Sequence, residues 1–237
     1  MRMREKGLRA TSCNNRIRAV NAYLHWQSKG SENRCGVGCE HFRVKKLKES
    51  SAVLPVFSLA QVTLFTRWKP RGFYPRRLHL LVLILLDTGC RVGEVLSIGV
   101  QDCDLDNLLL TVNGKGGKQR RVPFSFELRR AMVRYAGDFC AHPGSLMLST
   151  ESGRKLDRHV VSRSVKSLCR HLGFAPPERT LHAFRHTFAV NYLRRGGSVF
   201  HLQKVLGHSS LEMTRRYANL MTEDLQAVHQ QISLLAA

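Results

Sequence analysis

Leu108-Leu109-Leu110-Thr111-Val112-Asn113-Gly114-Lys115-Gly116-Gly117-Lys118-Gln119-Arg120-Arg121-Val122-Pro123-Phe124 decides the fold class of this 237-residue chain. An apolar run ending in β-branched Thr111 and Val112, a glycine-rich centre and a second run from Gln119 to Phe124 predict an antiparallel hairpin. Leu146 to Ser149 is a candidate third strand. Almost everything else reads as helix, so the fold class is α+β, predominantly helical, with a small three-stranded antiparallel sheet.

Upstream of the hairpin, Pro55 and Ser58 precede a short helix over Leu59–Trp68, and a long apolar helix follows over Arg76–Asp87. Its most apolar part, Leu78 to Leu86, is far short of the roughly 18 residues of a membrane span and reads as a buried core helix. Thr88-Gly89-Cys90-Arg91 interrupts it. Glycine there permits a sharp turn before a further helical turn through Val95 and Leu96, which would present Arg91 and Glu94 at an element boundary outside the core.

Downstream, helices are predicted over Phe126–Cys140, Asp157–Leu172, Leu181–Arg195, Val199–Leu206, Leu211–Leu220 and Glu223–Leu235. Asp157 is a fair N-cap and Gly173 a fair stop for the second of these. Near the N-terminus, Ile17, Val20, Tyr23 and Leu24 mark an amphipathic helix over Asn14–Ser28, followed by a Gly/Ser/Asn loop over Gly30–Cys39. Arg43, Lys45, Lys46 and Lys48 then form a basic run, either solvated or laid along phosphates.

Lys and Arg number 38 against 17 Asp and Glu, a formal charge of +21 and a pI of about 10.5. Nucleic acid is the leading partner for such a surface, and an anionic membrane surface is the rival. Because the cations run throughout the chain rather than along one amphipathic helix, nucleic acid is favoured. Seven cysteines at irregular spacings imply reduced thiols, and the first ten residues lack a secretory hydrophobic section, so a cytoplasmic location is expected. Cys35, Cys39 and His41 have the spacing of half a zinc site, but no second ligand pair follows and no metal is expected.

The chemistry gathers near the C-terminus, in Leu206-Gly207-His208-Ser209-Ser210-Leu211-Glu212-Met213-Thr214-Arg215-Arg216-Tyr217. Read blandly, Gly207 ends one helix, Ser209 or Ser210 caps the next, and Tyr217 lies at a helix flank. A phenol becomes a nucleophile only where cations surround its target, and such groups stand elsewhere: Arg91, Lys115 on the hairpin, and His182 with Arg185. Each alone is ordinary, since a surface Arg is usually an ion-pair member and a lone His usually packing. As a set they fit phosphoryl chemistry. His182 and Arg185 share a helix face, and two arginines can bind the non-bridging oxygens of one phosphate bidentately. No carboxylate cluster for metal ions is visible, so cationic side chains would fill that role. His186 is read as pointing to a different helix face and as structural.

The words Thr-Gly-Cys-Arg-Val-Gly-Glu-Val-Leu, Gly-Lys-Gly-Gly-Lys-Gln-Arg-Arg-Val-Pro, Leu-His-Ala-Phe-Arg-His-Thr-Phe-Ala and Leu-Gly-His-Ser-Ser, with Arg91, Lys115, His182, Arg185, His208 and Tyr217 in that order, resemble the tyrosine recombinase (phage integrase) family over residues 50–222. The resemblance implies a site-specific DNA recombinase of integrase or transposase type, working without metal, ATP or any other cofactor. Tyr217 would attack a phosphodiester to give a 3′-phosphotyrosyl link, while Arg91 and Arg185 clamp the non-bridging oxygens and Lys115 protonates the leaving 5′-oxygen. Lys118 competes for that last role. His182 would act as general base or orient the tyrosine, His208 would hydrogen-bond the phosphate, and Glu94 would hold an arginine or histidine from behind.

Lys45, Lys46, Lys48, Lys118, Arg120 and Arg121 are the expected DNA contacts, with double-stranded DNA the partner and a homo-oligomer, tetrameric on DNA, implied during strand exchange. Family members carry a helical DNA-binding domain of several helices in front. Here only the Asn14–Ser28 helix stands there, so residues 1–50 are read as a partial DNA-binding segment plus basic linker, 51–222 as the catalytic domain, and 223–237 as a helical tail able to dock in trans. The alternatives are a catalytically silent DNA-binding protein and a type IB topoisomerase-like activity.

Overall fold

A computed structural model describes residues 7–8, 10–31, 43–48, 54–114, 117–140, 144–208, 210, 214 and 217. The chain divides into two compact units, Met1–Val53 and Leu54–Ala237.

In the first unit, α1 spans Ala10–Ser31. The face it buries differs from the predicted stripe: Cys13, Asn14 and Ile17 are buried, whereas Val20 and Tyr23 are exposed. Two asparagines explain the difference. Asn14 donates from Nδ2 to the Leu47 carbonyl (2.9 Å) and accepts at Oδ1 from the Leu47 amide (2.8 Å). Asn21, two turns on, does the same for Val44, at 3.0 and 2.9 Å. Side-chain amides thus dock the backbone of residues 43–48 on the helix, satisfying main-chain groups that a side chain of pure hydrocarbon would leave bare. Lys45, Lys46 and Lys48 remain exposed.

The second unit runs α2 (Leu59–Arg67), α3 (Phe73–Thr88), α4 (Val92–Val95), a 3₁₀ turn (Val100–Asp102), β1 (Cys103–Asp104), β2 (Leu109–Asn113), β3 (Gln119–Pro123), α5 (Phe126–Phe139), α6 (Arg158–His171), α7 (Thr180–Arg194) and α8 (Val199–Leu206). Local chemistry sets these boundaries. Ser58 and Gln61 form a capping box at the start of α2, and Ser125 and Asp157 cap α5 and α6. Glycines in the left-handed region, Gly89 (φ 62°) and Gly207 (φ 63°), close α3 and α8.

Helix α3 is central. Leu80, Leu81, Val82, Ile84 and Leu85 are all buried, and neighbouring positions can be buried together only in a helix covered on more than one side. It packs against α2, α5, α6 and α7. Phe57, Phe65, Phe174 and Phe184 form an aromatic cluster, with Phe65 edge-on to both Phe57 and Phe174 at centroid distances of 5.2 and 5.5 Å.

The sheet is antiparallel in the order β1-β2-β3, with Cys103 opposite Leu110 and Leu110 opposite Val122. Its third strand is not the predicted Leu146–Ser149. That run forms only isolated bridges, Gly99 with Leu146 and Ser149 with Lys155, and its Met147 amide bonds to the Ile98 carbonyl (2.9 Å). The true partner is Cys103–Asp104, two residues too short to leave a periodic signal. The predicted helices beyond Leu211 lie almost wholly outside the described residues, of which Thr214 and Tyr217 are helical. Among the described residues, no helix is long and apolar enough to cross a membrane.

Candidate active site

Five elements meet at the site: the Gly89–Arg91 turn with α4, strand β3, helix α7, the C-terminal end of α8, and the helical position of Tyr217. The turn comes first. Gly89 ends α3 in the left-handed region, and a Cβ placed on it would lie 2.3 Å from Cδ1 of Phe188 on α7. The two helices meet so closely here that only glycine fits. The chain then presents Arg91, whose side chain is 46% exposed, at the start of α4.

Glu94 sits directly behind it, and its side chain is only 7% exposed, not outside the core as the sequence predicts. The carboxylate is held on all sides. Oε1 accepts from Arg91 Nη1 (2.9 Å) and Arg120 Nη1 (3.0 Å), while Oε2 accepts from the Arg91 amide (2.8 Å) and Arg120 Nη2 (2.9 Å). Burial alone would raise the Glu94 pKa, but hydrogen bonds from Arg120 and Arg91 outweigh it and hold it at about 2.

Arg120 is therefore not among the outward DNA-contacting residues where the sequence places it. Its side chain is 14% exposed, and Nε donates to the Val205 carbonyl at 2.9 Å while Nη2 lies 3.8 Å from Cys90 Sγ. Strand alternation turns Arg120 to the same side as buried Val122 and leaves Arg121 exposed, while Lys118, just before the strand, is also exposed. Lys115 lies outside the described residues.

Helix α7 supplies the second cation. Arg185 is buried and donates from Nη1 to the Gly89 carbonyl (3.0 Å) and from Nη2 to the Leu206 carbonyl (2.8 Å). Burial, with Arg91 nearby, lowers its pKa to about 10, so it remains a cation at neutral pH. One turn back, His182 is exposed. Its pKa is lowered by partial burial and by Arg158, Arg179, Arg185 and Arg91 around it. Arg158 and Arg179 are two further site cations that the sequence reading missed, because they fall in no recognisable word.

The phenol completes the site. Tyr217 is buried, and its hydroxyl lies 2.9 Å from His186 Nδ1, with ring centroids 5.7 Å apart. His186 therefore does not point away from the site. It stands four residues after His182, and such pairs share a helix face, so the signal was present in the spacing. His208, also buried, lies parallel to the Tyr217 ring at 6.3 Å, and its Nδ1 is 2.9 Å from Thr214 Oγ1. Burial and the nearby cations lower both His186 and His208 to about 4, so both imidazoles are neutral at pH 7.

Arg91, His182, Arg185, His208 and Tyr217 are thus gathered in one unit, with Glu94, Arg120 and His186 behind or between them. Lys45, Lys46 and Lys48 belong to the other unit. Among the described residues no group of three His, Cys, Asp or Glu side chains is placed to hold a metal ion. Cys35, Cys39 and His41 lie outside the described residues.

An arginine pair, two neutral imidazoles and a buried phenol thus share one site. The profile of the phage integrase family matches residues 62–224, and the chain belongs to that family. It is similar to the tyrosine recombinase XerD of Brucella abortus, 34% identical over 155 residues that make up 63% of this chain and 50% of the relative. It is similar also to the tyrosine recombinase XerC of Mycobacterium tuberculosis, 34% identical over 157 residues, 64% of this chain and 52% of the relative. The chain spans about half the length of these relatives. Among solved structures, the Tn1549 transposon integrase in complex with transposon right end DNA matches with a TM-score of 0.77 at 22% identity, covering 98% of this chain and 82% of that one. The catalytic domain of bacteriophage HP1 integrase matches with a TM-score of 0.57 at 24% identity, covering 78% and 99%. At these identities the two structures speak to the fold, and they share the helical architecture described above.

Proposed function

We propose that the chain is a site-specific DNA recombinase that cleaves and rejoins strands through a 3′-phosphotyrosyl intermediate. The observation that carries the reading is the Tyr217 hydroxyl held 2.9 Å from a neutral His186, with the His208 ring parallel to the phenol, in the same site as Arg91 and Arg185. Tyr217 Oη attacks the phosphorus, the P–O5′ bond breaks, and the 5′-hydroxyl leaves. Arg91 and Arg185 stabilise the added charge of the pentavalent transition state. His208, with Nδ1 engaged by Thr214, offers its other ring nitrogen to a phosphate oxygen. His182 stands among the arginines on the exposed side, where it orients the substrate. His186 is the nearest acceptor for the phenolic proton. Burial first and nearby cations second depress the pKa of His186, and the negative phosphodiester offsets the cations, raising its basicity as substrate arrives.

Lys115 protonates the leaving 5′-oxygen, and Lys118 and Arg121, exposed on the same hairpin, contact flanking phosphates together with Lys45, Lys46 and Lys48. Residues 1–50 serve as a partial DNA-binding segment, and residues 223–237 dock on a neighbouring protomer in a tetramer assembled on DNA. The reaction exchanges one ester for another of similar energy and so needs neither ATP nor a metal. The basic surface and the absence of a spanning helix among the described residues fit a location in the cytoplasm with the chromosome.

The test uses nicked duplexes drawn from the sequences flanking the gene. The expected result is a covalent protein–DNA adduct that survives denaturant and disappears in Tyr217→Phe, with duplex affinity retained. Steeply salt-dependent binding with no adduct on any duplex would instead establish a silent DNA-binding module. Relaxation of supercoils by a monomer would point to a type IB topoisomerase.

A further inference from the structure

Arg91 is an exposed cation of the site, yet it is hydrogen-bonded to a buried carboxylate. A guanidinium neutralised by its own glutamate would be a poor partner for a phosphate, since a one-to-one pair carries no net charge. The geometry around Glu94 resolves this. Arg120 faces the carboxylate with two nearly parallel bonds, Nη1 to Oε1 at 3.0 Å and Nη2 to Oε2 at 2.9 Å, the fork that arginine makes best. Arg91 reaches the same carboxylate through Nη1 and its backbone amide. The cluster holds two guanidiniums and one carboxylate, and the exposed member is Arg91.

Arg120 is itself fixed from a third direction. Its Nε bonds to the Val205 carbonyl, and Gly207 leaves room for it, because a Cβ at Gly207 would meet the Arg120 side chain at 3.1 Å. We propose that Arg120 is the resident counter-ion of Glu94, a positioning residue that leaves the Arg91 guanidinium charged and turned toward an incoming phosphate. The proposal rests on the strand-cleavage reading. Without Arg120, the buried carboxylate would take Arg91 as its bidentate partner, and the net charge of the cluster would fall from +1 to zero.

Removing both opposed charges restores the balance, and this makes the idea testable. In the 237-residue chain, Arg120→Met is expected to slow single-turnover cleavage of a nicked duplex by about 100-fold, in the range of losing one transition-state donor. Duplex affinity should stay within about threefold, since Arg120 is turned inward. Glu94→Gln/Arg120→Met should recover about tenfold of that loss. A purely structural role predicts the reverse, with the double variant at least as slow as the single. Arg120→Lys, which keeps the charge without the fork, should fall between wild type and Arg120→Met and covers the case in which the methionine variant does not fold.

A second measurement separates failure of this inference from failure of the cleavage reading. Inorganic phosphate is titrated while the Arg91 side-chain Nε–H resonance is followed in ¹⁵N-arginine spectra, assigned by its loss in Arg91→Lys. Phosphate affinity should fall about tenfold in Arg120→Met, or in part in Arg120→Lys, and return in the double variant. Phosphate affinity that does not respond to Arg120 substitution, or a double variant no better than the single, overturns the proposal. The expected phosphate pattern from a chain that forms no adduct would leave it standing and remove only the cleavage reading.

Discussion

His186 Nδ1 lies 2.9 Å from the Tyr217 hydroxyl, and the His208 ring lies parallel to the phenol with centroids 6.3 Å apart. A hydroxyl in that position has a hydrogen-bond partner before any substrate is present, so its orientation is set in advance rather than selected from rotamers at the moment of reaction.

If His186 takes the phenolic proton, His186→Ala should slow adduct formation by about 10²–10⁴-fold, the usual range for a lost general base. Added imidazole should restore part of the rate, and substituted imidazoles should do so in order of basicity. Equal slowing in His182→Ala, with rescue there and none at His186, would move the role to His182.

Stability should depend on pH in a defined window. His186 and His208 have folded-state pKa values of about 4 against an ordinary 6.5, so the unfolded chain binds protons that the folded chain refuses. Their contribution is fully present above pH 6.5 and is lost as pH falls through 6.5 toward 4, at up to about 1.4 kcal/mol per pH unit for each group. Thermal melts from pH 7.5 to 4 should show this decline, and His186→Gln/His208→Gln should flatten it.

Arg185→Lys should fold but cleave poorly. Lysine keeps a charge but cannot reach two carbonyls in a fixed fork and still address a phosphate, so a loss of about 10²-fold or more in single-turnover rate is expected. A smaller loss than that of Lys118→Ala would contradict the clamp.

Gly89→Ala should destabilise the fold directly. Its positive φ costs a non-glycine residue about 1–3 kcal/mol, and the new methyl would overlap the Phe188 ring. A fall in the urea midpoint with an unchanged slope is the expected signature. Wild-type stability would mean that the turn can open without consequence.

Much of this molecule was legible in the chain. The α3 core helix, the Gly89 interruption, the caps at Ser58 and Asp157 and the β2–β3 hairpin all follow from local rules that the fold does not override. What escaped reading was what depends on contacts distant in sequence. Strand β1 is defined only by its partner, and Leu146–Ser149 has a strand's composition but is paired to the α4 exit instead. Glu94 looked like a surface acid because nothing local announces that Arg120, 26 residues later, will close over it. Asn14 and Asn21 look like polar interruptions of a stripe until the backbone of residues 43–48 supplies their partners. His186 was a different failure, since its spacing from His182 already placed the two together.

The two site arginines are held by different means. Arg91 answers to a full carboxylate shared with Arg120. Arg185 has two backbone oxygens, one at the end of α3 and one at the end of α8. Each is the carbonyl of a helix terminus, which bears roughly half a negative charge as the end of its macrodipole. Such ends hold the guanidinium by partial charges that cannot be protonated, cannot leave and cannot form a closed ion pair. Arg185 is held in a buried place by partial charges, and a phosphate carrying a whole charge is a stronger partner than either.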